Sequence, residues 1–383
     1  MHTGKKSVLA LTRSWYAHFE RPISSFSLIG GFVFDALTLR RVDVFWDNFW
    51  VAVHLVIVTV CAVWINLLND AADENGKRPE AAPRKLHFWL VNVMQFFFGG
   101  LLSVYLVFYF RSSTLAESWP FLLILAIAFI ANESLKRSYA RLSFQIALLF
   151  LAFYSFAIYF MPILLHKIST RVFLISGAVS VAVIAFLLLI LAVFSRRRFA
   201  GRKGWAVFAS IAGILVVVNG LYLLNLIPPL PLSLKEADVY HSLVVNGPGN
   251  YTVSGENQTT AGLASIDFLA RFFALRQTVH IMPGDPLWAY TAVFCPTALN
   301  TKIIHKWQYY DRAKGEWITR GRILLSVVGG SDGGYRTFSE EPAITAGRWR
   351  VDVETPSGQL IGRLNFMVIV QRKEPPLRTG TTG

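Results

Sequence analysis

Six apolar runs follow one another in the first 230 residues, and a soluble domain has no means to bury such a series. They are 48–68, 88–110, 117–133, 142–165, 172–195 and 205–227. Most reach the ~20 residues that cross a ~30 Å hydrocarbon core. Residues 117–133 are shorter but almost uncharged. Backbone groups in lipid must be satisfied within their own segment, so each run predicts a helix. A seventh candidate, 22–39, contains Asp35 and the Gly30-Gly31 pair. It follows a long basic region and precedes no small-x-small cleavage pattern, so it does not read as a signal peptide. Either it spans the membrane or it lies in the interface.

Basic residues decide between these arrangements. With 22–39 spanning and the N-terminus cytoplasmic, 16 Lys and Arg fall on the inner side and 5 on the outer. The inner set ends in the cluster Arg196, Arg197, Arg198, Arg202 and Lys203. With six spans the best bias is 12 against 9, in a chain of inverted orientation. The positive-inside rule therefore predicts about seven spans, a cytoplasmic N-terminus and a C-terminus across the membrane. The net charge of +14 is thus mostly a topology signal, which argues against nucleic acid as a partner and for membrane lipids.

After Pro228-Pro229 the pattern changes from helical to alternating. Strand candidates are 239–245, 277–282, 287–295, 301–310, 316–328, 334–339, 347–355 and 359–370. In Arg348-Trp349-Arg350-Val351-Asp352-Val353-Glu354 the apolar residues share one face and the charged residues the other. Turn signals separate the runs, among them Pro283-Gly284-Asp285, Lys314-Gly315 and Pro356-Ser357-Gly358. The expected fold is an α-helical membrane bundle over 1–229, followed by an all-β, immunoglobulin-like sandwich over 230–375 and a disordered tail over 376–383. Residues 262–276 read as an amphipathic helix.

Within this region Leu299-Asn300-Thr301, Ile304-His305-Lys306-Trp307, Gly334-Tyr335-Arg336-Thr337-Phe338-Ser339, Gly347-Arg348-Trp349-Arg350-Val351 and Gly358-Gln359-Leu360-Ile361-Gly362 follow one another along the chain. From about Trp288 to Val370 the chain resembles the bacterial family known as domain of unknown function 2914. The resemblance implies a β-rich module on a membrane-anchored bacterial protein of the inner membrane, and it carries no reaction with it.

Two groups of residues are candidates for chemistry. Alternation along 301–310 puts Ile303, His305, Trp307 and Tyr309 on one face. With Tyr335, Arg336 and Ser339 these form a ligand groove in which aromatics stack and Arg pairs with an anion, or they form sandwich core. In the membrane half Asp35 and His54 are ionisable, and Asn92, Gln95, Gln145 and Asn219 are polar. Asp35 and His54 read as a proton relay, or as a pair near the outer interface that snorkels. The run Gly329 to Gly334 reads as an anion nest or as a hairpin.

Among motifs with a reaction attached, His-Glu-x-x-His and the Walker Gly-Lys-Ser/Thr are missing from the sequence. Two cysteines, Cys61 and Cys295, exclude a disulfide scaffold and a four-thiolate zinc site. Asp311, Glu316 and Asp332 fit no EF-hand spacing, and the sequence implies no cofactor or metal. The expectation is a non-enzymatic module facing the periplasm that binds an envelope glycan, a lipid head group or a partner protein. The alternative is a transporter or envelope-lipid transferase with its site between the helices.

Overall fold

The computed structural model describes residues 30–39, 42–74, 81–112, 115–134, 139, 141–194, 201–247, 249–256, 277–296, 299–330 and 333–382. Seven helices come first: α1 (30–38), α2 (Phe45–Glu74), α3 (Ala81–Arg111), α4 (Leu115–Ser134), α5 (Leu142–Leu165), α6 (Thr170–Phe194) and α7 (Gly201–Leu223). Five contain stretches long and apolar enough to cross a membrane: Phe45–Asn69, Leu86–Arg111, Leu142–Leu165, Thr170–Phe194 and Gly204–Leu223. The apolar part of α4, Ser118–Asn132, is shorter, and of the candidate 22–39 the first part, 22–29, lies outside the described residues while 30–38 forms α1.

The chain divides into two compact units: 1–107, 123–156 and 179–216 in one, and 108–122, 157–178 and 217–383 in the other. The division cuts through the helices rather than falling at residue 230. Within the second unit, Ile168 packs against the β core, and the Phe173 ring stacks on Tyr222 with centroids 3.7 Å apart.

The β region opens with β1 (Ser233–Tyr240), β2 (Ser242–Gly247), β3 (Asn250–Gly255), β4 (Gln277–Ile281) and β5 (Leu287–Phe294). It continues with β6 (Asn300–Asp311), β7 (Glu316–Val328), β8 (Tyr335–Glu341), β9 (Gly347–Glu354), β10 (Leu360–Val370) and β11 (Arg378–Thr382). They form three sheets, ordered β1-β5-β8, β4-β10-β9-β6-β7 and β11-β3-β2. All pairings are antiparallel except β4–β10, which is parallel.

The first two sheets enclose one apolar core. Ala289 and Val293 of β5 meet Ile303 and Trp307 of β6, Trp349 and Val351 of β9, and Phe366 of β10. The third sheet covers the other side of β5, where Leu243, Tyr251 and Val253 pack on Tyr290 with Trp288 and Phe338 alongside. β5 is therefore apolar on both faces, which is why 287–294 is an unbroken run rather than an alternation. A half-wet sandwich does not require that third layer.

The run expected as one strand over 239–245 is cut at His241 into β1 and β2, which join different sheets. The tail expected to be disordered over 376–383 contains β11. Its sequence RTGTT has no apolar residue to signal a strand, and its order comes from pairing with β3, Thr379 opposite Ser254 and Thr381 opposite Thr252. The helix expected at 262–276 lies outside the described residues.

Where β1 crosses β10 the approach is too close for a side chain. A Cβ on Gly362 would stand 2.1 Å from Leu234 Cδ2 and 3.0 Å from its Cβ. Gly362→Ala is expected to cost about 1–3 kcal/mol as overpacking. Adding Leu234→Ala, which removes the obstructing atoms, should recover part of that loss. Thermal unfolding of the two variants followed by tryptophan fluorescence measures the coupling.

Candidate functional site

The face of β6 that carries His305, Trp307 and Tyr309 turns inward. His305 and Trp307 are fully buried and Ser339 of β8 nearly so. The Trp307 indole N–H donates to Ser339 Oγ at 2.9 Å, and Ser339 Oγ lies 2.8 Å from His305 Nδ1. His305 Nε2 is 2.9 Å from Thr291 Oγ1, which is 2.9 Å from Thr337 Oγ1. A neutral imidazole that accepts from Ser339 at Nδ1 and donates to Thr291 from Nε2 satisfies the chain from Trp307 to Thr337. Burial holds His305 down at about 4. These residues stitch β5, β6 and β8 together across the core, which leaves their polar atoms engaged within the protein.

The remaining members of the predicted strip are not brought to this point. Tyr309 is half-buried, with its ring against Trp349 and beside Gly347. Tyr335 is exposed at the start of β8. The Arg336 side chain lies on the opposite face of β8, where its Nε donates to Tyr290 Oη at 3.0 Å. In the glycine run, the N–H groups of Gly329 and Gly330 donate to the carbonyls of Leu299 and Cys295, and residues 331 and 332 lie outside the described residues. Cys295 is buried with Sγ 3.1 Å from the Leu299 carbonyl.

The opposite face of the five-stranded sheet carries a cationic and aromatic surface that the sequence reading did not single out. Alternation and register bring together Lys302, Lys306, Gln308 and Tyr310 of β6, Trp317 and Arg322 of β7, Arg348, Arg350, Asp352 and Glu354 of β9, and Arg363 of β10. Each carboxylate serves two cations. Glu354 takes Arg322 at 2.8 Å and Lys306 at 3.7 Å, while Asp352 takes Arg363 at 2.5 Å and Arg350 at 3.7 Å. The Arg350 guanidinium lies 4.3 Å from the centroid of Trp317, and its Nε donates to Gln308 at 2.8 Å. Trp317 meets Tyr310 edge-on at 5.2 Å between centroids, and Arg348 lies 5.7 Å from the Tyr310 ring. The signal for it in the sequence is the Arg-x-Arg alternation on β9, which puts Arg348 and Arg350 on one face with Asp352 and Glu354.

A third cluster ties the end of β3 to β4. The Glu256 carboxylate receives the His280 N–H at 2.5 Å and lies 2.7 Å from His280 Nδ1 and 3.1 Å from His241 Nε2. Burial pushes its carboxyl up, but these hydrogen bonds outweigh that and hold it below the usual range.

In the helical unit Asp35 and His54 both approach α3. Asp35 accepts a 2.5 Å hydrogen bond from Ser103. His54 Nδ1 is 2.7 Å from its own helix carbonyl at Trp50, and its ring stands against Gly100 and edge-on to Phe97. His54 lies nine residues along α2 from Phe45, and Ser103 eight residues short of the end of α3, about 12–13 Å along each axis. Gln95 and Gln145 join a buried amide chain: Asn66 donates to Gln145 at 2.7 Å, Gln145 to the Tyr139 carbonyl, Tyr139 to Asn132, and Asn132 to the Gln95 carbonyl at 3.1 Å. Asn92 bonds only its own helix, at Phe88. Among the described residues no group of three His, Cys, Asp or Glu is placed to hold a metal ion.

Residues 300–368 match the model of the family described as "Protein of unknown function (DUF2914)". The matched segment runs from β6 into β10 and contains the cationic face. No curated protein matches the sequence. Among solved structures the chain is similar to the Pseudomonas fluorescens alkylpurine DNA glycosylase AlkC bound to DNA containing an abasic site analog, at 10% identity over 82% of this chain and 97% of that one. The TM-score of 0.21 carries no inference of shared fold or function.

The buried imidazole makes stability depend on pH. Because His305 titrates near 4 in the fold and near 6.5 when exposed, the unfolded chain takes up the proton first as pH falls. The stabilisation is complete above pH 6.5 and is lost progressively towards pH 4, about 3 kcal/mol in all. Unfolding midpoints across this range should fall for the wild type. His305→Gln, which cannot titrate, should remove that part of the slope.

Proposed function

We propose that this is a bacterial inner-membrane protein whose helices present an immunoglobulin-like sandwich, extended by a third sheet, to the periplasm as a non-enzymatic binding module. The observation that carries the reading is the cationic, aromatic face of β7-β6-β9-β10: six basic side chains against two acidic ones. Its ligand is an envelope component, and direct contact with β9 and β6 residues is what positions it. The inner face supports this choice of surface, because the polar atoms of the buried His305 network are engaged within the protein.

The membrane placement draws on the aromatic ends of α2. Phe45, Trp46, Phe49 and Trp50 are all exposed, and Trp64 is exposed 14 residues after Trp50, about 21 Å along the axis. Aromatic side chains at that separation suit the two interfaces of a bilayer. A second reading, a transporter or lipid transferase working between the helices, is favoured by the Asp35–Ser103 bond lying at the depth of His54. Loss of function in Asp35→Asn with ligand binding intact would select it.

Two measurements test the main reading. C-terminal alkaline phosphatase fusions are expected to be active and green fluorescent protein fusions dark, and the reverse pattern contradicts the topology. Full-length protein in nanodiscs, applied to arrayed envelope glycans and lipid vesicles, is expected to retain at least one class. Lys306→Glu with Arg350→Glu should abolish that retention. An array with nothing retained, or retention indifferent to the charge reversal, contradicts the module.

A further inference from the structure

Along β9 the charges alternate until the acids run out. Glu354 and Asp352 each neutralise two cations, and Arg348, the next basic residue on that face, has no carboxylate within ion-pair distance among the described residues. Its Nε is buried and makes no hydrogen bond. Asp311, at the end of β6, is turned to its own loop, where Oδ1 accepts the N–H groups of Ala313 and Lys314 at 2.8 and 3.3 Å. A buried guanidinium donor without an acceptor is costly, typically 1–3 kcal/mol, and an anion supplied from outside removes that cost.

What stands beside Arg348 indicates the kind of anion. The Tyr310 ring is 5.7 Å from its guanidinium, and Trp317 continues the aromatic surface from Tyr310. The nearest basic neighbour on the same strand, Arg350, is held by Gln308 and by the Trp317 ring. A ligand bearing one acidic group per ring matches this arrangement: the acid pairs with Arg348 and the ring lies along Tyr310. Lys302 and Lys306 continue the positive charge along β6.

Resting on the binding-module reading above, we infer that Arg348 is an anion-recognition residue and that the ligand is an acidic carbohydrate, a chain of sugars bearing carboxylates. Phosphate of a lipid head group offers related chemistry, but an isolated phosphate makes no use of the ring surface, so the glycan is the occupant proposed.

The test uses full-length protein in zwitterionic nanodiscs with three probes: oligogalacturonate, a neutral maltooligosaccharide, and phosphatidylglycerol vesicles. Oligogalacturonate is expected to bind, with affinity falling as salt rises, and the neutral sugar not to bind. Arg348→Gln should weaken binding by about 10- to 100-fold, the loss of one charge-assisted hydrogen-bonded pair. Arg348→Lys, which keeps the charge without the planar fork, should fall between, and it serves if the Gln variant does not fold. Equal binding of the neutral sugar, or oligogalacturonate binding unaffected at Arg348, overturns this inference and leaves the module standing. Vesicle binding without saccharide binding overturns the choice of glycan. A wild type that binds none of the three, and retains nothing on the envelope array, overturns both.

Discussion

The buried hydrogen-bonded chain from Trp307 through Ser339 and His305 to Thr291 and Thr337 constrains everything else in the β region. It is made of polar groups that a sheet interior tolerates only when each finds a partner, and its members come from three strands in two sheets. Their pairing ties the two sheets together across the core, and it leaves His305 and Trp307 fully buried on the inner face. The most suggestive aromatic and imidazole residues in the sequence therefore form the support, and the row of arginines, Tyr310 and Trp317 lies on the sheet face behind them.

Much of the architecture is legible without coordinates. Hydropathy locates the long helices, and period-two alternation locates β4 to β10 to within a residue or two. The failures share a cause. β3, NYTVSG, is only six residues long, and β11, RTGTT, is polar; β3 pairs with β2 on one side and β11 on the other, and β11 owes its order to that pairing. Without them the third layer is invisible, although the unbroken apolar run of β5 is its trace.

The candidate site shows a sharper limit. Alternation groups His305 with Trp307 and Tyr309 correctly, but a single strand does not say which of its faces is covered. Both faces of β6 carry an aromatic residue, Trp307 on one and Tyr310 on the other. Only cross-strand register decides: Trp307 stands opposite Val351, whereas Lys306 stands between Arg322 and Asp352. Arg348 is distinguishable only once the ion pairs of Asp352 and Glu354 are known, since its significance lies in the acid it lacks. In the helical unit, likewise, the placement of Asp35 against α3 is shown by its bond to Ser103 and not by its place in the sequence.

The central claim is that recognition occurs on the outer face of the five-stranded sheet while the inner face serves as core. Hydroxyl-radical footprinting of the full-length protein with and without a bound acidic oligosaccharide addresses it directly. The account predicts protection at Tyr310 and Trp317, with Trp307 unreactive in both states and Tyr335 unchanged. Protection at Tyr335, or ligand-dependent reactivity at Trp307, with Tyr310 and Trp317 unaffected, would contradict it.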